Sequence, residues 1–219
     1  MNHVIASHLL SIEAVSLAPN DPFTWTSGIK SPIYCDNRLI LSYPAVRKDV
    51  IQGFTELIQR EFSMVDVIAG TATAGIPHAA WISERLDLPM LYVRGSAKSH
   101  GKGNRIEGAY EKGQRVVLIE DLISTGKSVI EAAEALRNEG MEVAGVVSIF
   151  TYGLNKGKKQ LADASLPSYS LTNLEVLMRE ARRNGAITAA DENKIKQFQQ
   201  DPSDSRWMHL QEKHGILNF

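Results

Sequence analysis

The chain has 219 residues, 43% hydrophobic and 22% charged, and its 24 Lys and Arg against 25 Asp and Glu give a formal net charge of -1. That length and apolar content support a full core in one α/β domain with an appendage, and the balanced charge excludes a general attraction to nucleic acid or to an anionic membrane, so any anion binding must be local. Cys35, the only cysteine, excludes an intrachain disulfide; with no basic-then-apolar leader and no apolar run near the roughly 20 residues of a membrane span, a soluble, cytoplasmic protein is expected.

An amphipathic helix opens the chain, with Asn2 placed to cap it and Val4, Ile5, His8, Leu9, Ile12 and Val15 on one face. Pro19-Asn20-Asp21-Pro22 ends it. Phe23-Thr24-Trp25 and Pro32-Ile33-Tyr34-Cys35-Asp36, separated by the turn Ser27-Gly28, read as two short strands with prolines at their edges, too small to form a core. Ser42 and Pro44 start a second helix whose face Val46, Val50, Phe54, Leu57 and Ile58 is suited to cover a sheet. Strands are expected over 65–69, 90–93, 116–120 and 143–150. A helix reaching Leu86 follows the first. Another, carrying Val129, Ala132, Ala133 and Leu136, follows the third and closes at Asn138-Glu139-Gly140.

Strands alternating with helices imply right-handed crossovers and a parallel sheet covered on both faces. Beyond Gly153 the texture changes. Residues 156–164 are charged, Thr172 is placed to cap a helix over 173–183, and Thr188 to cap another before Asp201-Pro202. Residues 203–219 lack periodicity and are expected to form a loosely held tail. The expected organisation is an N-terminal helix and hood at 1–42, an α/β core at 43–155, and C-terminal helices and tail at 156–219 packed on the same domain.

The chemistry concentrates in one stretch of the core. The apolar run Val116 to Ile119 meets two carboxylates, Glu120 and Asp121, continues through Leu122, Ile123, Ser124, Thr125 and Gly126, and becomes a helical pattern at Lys127 and Ser128. A buried strand, a loop and a helix N-terminus are implied. At the carboxyl end of such a strand, unpaired N–H groups and the positive end of a helix dipole favour an anion, most simply a phosphate, over Ser124 to Ser128. Glu120 and Asp121 would repel that anion. They are better suited to accept hydrogen bonds from a sugar attached to it, or to hold water on a bound cation.

The stretch therefore reads as a ribose-phosphate cradle. It is not a Walker A loop, because Asp121 stands where that motif needs glycine, and Gly101 to Ile106 is not a dinucleotide fingerprint, because it ends on isoleucine with no helix behind it. The six histidines show no metal-ligand spacing, so zinc is not expected.

The strand, acidic pair, hydroxyls and Thr-Gly of this cradle resemble the phosphoribosyl-pyrophosphate (PRPP) motif of the type I phosphoribosyltransferases. The resemblance implies that family's fold, a parallel sheet flanked by helices under a small N-terminal hood, and a motif spanning Glu120 to Ser128 that binds PRPP. It further implies that the acids contact the ribose hydroxyls and that the turn wraps the 5′-phosphate.

Phe23 to Tyr34, with Asp36 and Arg38, is similar to the start of the orotate phosphoribosyltransferases, as are Arg94, Lys98, His100 and Gly101-Lys102-Gly103 and the stretch Glu120 to Gly126. These matches span most of residues 1–155, in order. They imply transfer of a 5-phosphoribosyl group from PRPP to orotate, giving orotidine 5′-monophosphate and pyrophosphate with Mg²⁺ in pyrimidine (UMP) biosynthesis. They also imply a homodimer in which Arg94, Lys98 and His100 complete the partner's site. Ser124 would reach the orotate side, and no metal ligand is assigned directly, the Mg²⁺ being carried by PRPP.

Two further loops acquire a purpose beside such a cradle. Residues 94–105 are basic and glycine-rich, longer than an ordinary connection, and read alone would equally be a solvated turn. Beside a departing pyrophosphate they read as a lid, with Arg94, Lys98 and His100 as donors to the growing negative charge. Lys98, His100 and Asp121 are thus the expected catalytic groups. Small residues directly after the first core strand let the backbone of 70–77 approach a ligand. In the family the corresponding loop, here Thr71, Ala72, Thr73 and Ala74, meets the pyrophosphate, sometimes through a cis peptide that would fall near Ala72-Thr73.

The chain departs from many members at Thr26, Ala74 and Gly95, where they carry basic residues, and at Tyr152, where they carry arginine. The alternatives are a type I transferase for another base and a PRPP-sensing regulator. The latter goes with a DNA-binding helix-turn-helix and a depleted lid, whereas here the N-terminal helix is solitary and the lid intact.

Overall fold

The computed structural model describes residues 1–25, 28–95 and 105–210. Thr26, Ser27, Lys98, His100, most of the expected lid and residues 211–219 lie outside the described residues.

Six strands form the central sheet: β5 (Val67–Thr71), β6 (Met90–Val93), β7 (Ile106–Glu107), β8 (Arg115–Ile123), β9 (Glu142–Thr151) and β10 (Ser168–Asn173). Their order is β10-β9-β8-β5-β6-β7, parallel throughout except for the antiparallel edge strand β7. Here β1 to β4 are the short strands of the hood, Val15–Leu17, Phe23–Thr24, Lys30–Ser31 and Ile33–Cys35. They pair as two antiparallel ribbons, β1 with β4 and β2 with β3.

Alternation along β8 builds the two layers of the core. Val117 and Ile119 point to one face with Phe54, Ile82, Val147 and Leu177, while Val116 and Leu118 point to the other with Val129, Leu136 and Leu161. The first face is covered by α1 (Asn2–Ser11), α2 (Pro44–Glu61), α3 (Gly75–Leu86), α6 (Leu174–Arg183) and α7 (Ala189–Gln200). The second is covered by α4 (Lys127–Asn138) and α5 (Asn155–Asp163). Burying each Val, Leu or Ile of β8 on both faces contributes roughly 1.5–3 kcal/mol, which is why this strand can be apolar without interruption.

Several sequence expectations are corrected. The first helix stops at Ser11 and buries Ile5, Ala6 and Leu9; Val4 is exposed, His8 bonds Asp49 at 2.8 Å, and Val15 belongs to β1. Asn2 does not cap it: Met1 is the cap residue, and Asn2 Oδ1 accepts from the adjacent His3 N–H. Tyr43, not Ser42, precedes α2, and Ser42 ends a 3-10 turn over Asn37–Ser42. The first core strand runs two residues later than 65–69, and β10 was not anticipated. Asn173, rather than Thr172, caps α6 by accepting the Val176 N–H.

Thr188 does cap α7, in a box with Asp191. The segment after 203 is partly anchored. Ser205–His209 forms a 3-10 turn and Trp207 is 1% exposed, its ring 5.8 Å from Phe198. From there a run of aromatic contacts leads to the hood, Phe198 to Trp25 and Trp25 to Tyr152, each at 5.6 Å.

Candidate active site

The strand order turns back between β5 and β8, because β5 proceeds to β6 on one side while β8 proceeds to β9 on the other. A crevice at the carboxyl ends of the strands is expected there, and the predicted loops lie on its rim. On one side β5 ends at Thr71 and Ala72-Thr73-Ala74 leads into α3. On the other β8 ends at Ile123 and Ser124-Thr125-Gly126 leads into α4. Both helices start without a side-chain cap, so their first N–H groups have no side chain of their own to satisfy them.

Glycines allow a close approach at both turns. A Cβ on Gly75 would lie 2.3 Å from the Ile119 carbonyl oxygen, and one on Gly157, in α5, 2.4 Å from that of Ser124. Gly126 takes φ +81°, a left-handed conformation that turns the chain into α4. The part played by Gly157 was invisible in the sequence, where it stands among lysines. The first loop contains a cis peptide at Ala72-Thr73, where the family resemblance put it. Thr71 Oγ1 is buried at the end of β5 with no hydrogen-bond partner among the described residues.

The two acids differ from the expected picture. The sequence put the strand end at Glu120; β8 continues to Ile123, so Glu120 and Asp121 are strand residues directed to opposite faces. Glu120 is 6% exposed and turned toward α4: Oε1 accepts the Asp121 N–H at 3.0 Å and Oε2 the Ser128 hydroxyl at 3.4 Å. Burial, and then the neighbouring Asp121, holds its carboxyl well above the ordinary carboxylate range. Burial likewise raises Asp121, opposed by hydrogen bonds and by Arg38. Asp121 is half-buried and faces the hood.

The hood closes over that face. Asn37 Nδ2 donates to the Asp121 carbonyl at 2.7 Å, and Arg38 is held by Asp36 through two hydrogen bonds of 2.6 and 2.9 Å. Tyr152 is 3% exposed beside Trp25, with its hydroxyl held far above the ordinary range by burial and then by Cys35, Tyr34 and Asp121. Neither Asn37 nor the packing of Tyr152 was predicted; the only sequence signal for Asn37 was its position between Asp36 and Arg38.

Arg94 follows β6, two strands from β8 and so about 10 Å away. Its guanidinium contacts Glu107 of β7 at 3.3 Å, away from the cradle of its own chain. The base of the expected lid is closed by Arg94 N–H to the Arg105 carbonyl at 2.8 Å and Arg105 Nε to the Arg94 carbonyl at 3.0 Å. A cavity of about 630 Å³ opens between α5 and the β9–β10 edge and touches the cradle only through Ile123 and Ser124. Among the described residues no group of three or more His, Cys, Asp or Glu side chains could hold a metal ion, and no helix is long and apolar enough to cross a membrane.

Comparison with known proteins agrees with this geometry. Residues 40–174 match the phosphoribosyl transferase domain. The chain is 58% identical to the orotate phosphoribosyltransferase of Halalkalibacterium halodurans over 95% of its length and 100% of that protein's. It is 59% identical to that of Bacillus mycoides, with 95% and 99% covered. Among solved structures, the orotate phosphoribosyltransferase of Aeropyrum pernix superposes with a TM-score of 0.73 at 28% identity, covering 84% of this chain and 99% of the other. The UMP synthase of Leishmania donovani superposes at 0.76 and 32%, over 90% of this chain and 42% of that larger one. The crevice, the two uncapped helix starts and these likenesses agree: the chain belongs to the phosphoribosyltransferase family and, within it, to the orotate phosphoribosyltransferases.

Proposed function

We propose that the crevice between β5 and β8 binds PRPP and orotate, and that the chain transfers the 5-phosphoribosyl group to orotate with release of pyrophosphate in pyrimidine biosynthesis. The observation that carries this reading is the pair of uncapped helix starts on adjacent strands with Asp121 between them and the hood. The Ser124 to Ser128 turn holds the 5′-phosphate through backbone N–H groups, and Thr71 to Ala74 holds the pyrophosphate. Asp121, facing the crevice, accepts from a ribose hydroxyl. Glu120 fixes the turn through Ser128 and the Asp121 N–H, and completes the sugar's acceptors when ionised. Ser124 and the hood face the base.

As the C1–pyrophosphate bond stretches, positive charge grows on the ribose and negative charge on the leaving group, with no covalent nucleophile required. The carboxylates lie on the side of the first charge, and Arg94, Lys98 and His100 answer the second. The orientation of Arg94 toward β7 supports a homodimer in which these three groups serve the partner's crevice.

The oxygen-only donor set of Glu120 and Asp121 fits Mg²⁺ held through water and substrate phosphates, a mode that needs no dedicated protein cage. Such an ion supplies neutralisation of the leaving group's charge. With a formal net charge of -1, the partners in this reading are these small substrates and a second copy of the chain, in a cytoplasmic setting, not nucleic acid or membrane.

The deciding experiment is consumption of base by the purified chain with PRPP and Mg²⁺. Orotate should turn over, and uracil, adenine, hypoxanthine and xanthine should not. Turnover of another base and not orotate would reassign the substrate, and a folded protein inactive on all would remove the reading.

A further inference from the structure

β8 outlasts its neighbour. Pairing with β5 ends at Gly70 opposite Ile119, while β8 follows β9 to Ile123, so Asp121 lies two residues beyond the last β5 partner. The β9 register continues past it without a shift, Glu120 with Ser148 and Leu122 with Phe150. With β5 ended, this part of β8 is held from that side by side chains. Glu120 Oε1 accepts the Asp121 N–H at 3.0 Å and Asn37 Nδ2 donates to its carbonyl at 2.7 Å.

The second bond spans 84 positions of sequence and crosses from the hood to the core. Asn37 is 1% exposed, and its amide admits only one orientation: a carbonyl can only accept, so Nδ2 must face Asp121 while Oδ1 accepts the Cys35 thiol at 3.3 Å. Burial, and then Asp121 and Asp36, keeps that thiol protonated and able to donate.

We propose that Asn37 is a positioning residue for the ribose acceptor: by holding the Asp121 peptide it sets where that side chain stands, and it couples seating of the hood to grip on the sugar. The proposal rests on the reading of Asp121 as the ribose acceptor. Because Asn37 reaches the backbone and not the ligand, its removal acts only through Asp121.

The test is a double-mutant cycle on the full-length protein, reading the PRPP dissociation constant by calorimetry with Mg²⁺, KM for each substrate, and the melting temperature. Asn37→Ala should weaken PRPP about tenfold while changing KM for orotate less than about twofold, and in an Asp121→Asn background it should add no more than about twofold. Multiplying effects, or equal shifts for both substrates tracking the melting temperature, would show a merely structural role and overturn the proposal.

If Asn37→Ala does not fold, Cys35→Ala and Cys35→Ser decide. The first should weaken PRPP a few-fold and the second restore it; identical behaviour of the two overturns the proposal. The outcomes also separate the two readings. Should Asp121→Asn leave PRPP binding intact, the ribose assignment fails and Asn37's role falls with it. Should Asp121→Asn weaken PRPP while Asn37→Ala does not, only the role of Asn37 is lost.

Discussion

The turns after β5 and β8 are built alike and equipped differently. Each carries a buried strand into an uncapped helix and is closely approached at a glycine, Gly75 at the start of α3 on the Ile119 carbonyl for the first and Gly157 of the neighbouring α5 on that of Ser124 for the second. Residues 71–75 are wholly uncharged, whereas the second turn follows Glu120 and Asp121. A neutral nest suits an anion alone. An acid-flanked nest suits an anion that brings hydroxyls with it, so in the proposed function the two ends of one ligand would be told apart by where carboxylates are missing.

The strongest way to break this contrast is to invert it. Asp121→Lys should lower kcat/KM for PRPP by more than about a hundredfold, since it replaces a charge-assisted acceptor with a donor. The affinity for inorganic pyrophosphate, measured by competition, should change far less. Equal losses for both would mean that the turns do not divide the ligand.

Next come the glycines. Gly75→Ala and Gly157→Ala each force a Cβ into a carbonyl oxygen and should destabilise the fold by about 1–3 kcal/mol in chemical denaturation. They sharpen the comparison through half-ligands. Gly157→Ala should selectively weaken ribose 5-phosphate and Gly75→Ala pyrophosphate, so the reverse pattern would exchange the two assignments.

A smaller effect separates the acids through pH. Glu120 is raised in the folded chain from a value near 4.5 by burial and then by Asp121. The folded state thus binds the proton more tightly than the unfolded one, and this contribution is full below pH 4.5 and lost as pH climbs through the raised value. Glu120→Gln should therefore flatten the fall in melting temperature between about pH 5 and 8. PRPP binding to the unmutated chain should release protons, read as a buffer-dependent heat, because ligand hydroxyls favour the ionised pair. An unchanged pH slope in the variant would show that Glu120 is ionised in the free protein.

The least change is expected from Thr71→Val. Its hydroxyl has no partner among the described residues, so stability should hold, whereas pyrophosphate affinity should drop about fivefold, the worth of one hydrogen bond. An unaltered affinity would free Thr71 from the ligand.

Strong periodicity made much of the core legible. Met90–Val93 matches β6 residue for residue, and Val129, Ala132, Ala133 and Leu136 form the buried face of α4. Expectations failed where chemistry masks burial. The expected strand stops at Glu120 because two adjacent carboxylates seldom continue a buried strand, yet β8 runs on through Asp121 to Ile123, with Glu120 kept inside by hydrogen bonding and a raised affinity for protons. β10, Ser168–Asn173, is rich in hydroxyls and one of them meets β9 through Ser148 Oγ to Ser170 Oγ at 2.6 Å, a pairing that hydrophobic patterning does not register.

At the candidate site, the two turns from strand to helix were readable because each is continuous in sequence. Asn37, Gly157 and the seat of Tyr152 were not, since each matters through a neighbour more than 25 positions away. No single-chain pattern encodes such distances.

The indole of Trp207 has a consequence for how much of this chain the catalyst needs. A protein ending at Gln200 would retain every described group assigned here to substrate, but its last helix would lose the wall that backs Phe198, and through it Trp25 and the roof above Asp121. Shortening from the carboxyl terminus would then act by leverage, slackening the entrance from behind while leaving the reacting groups intact.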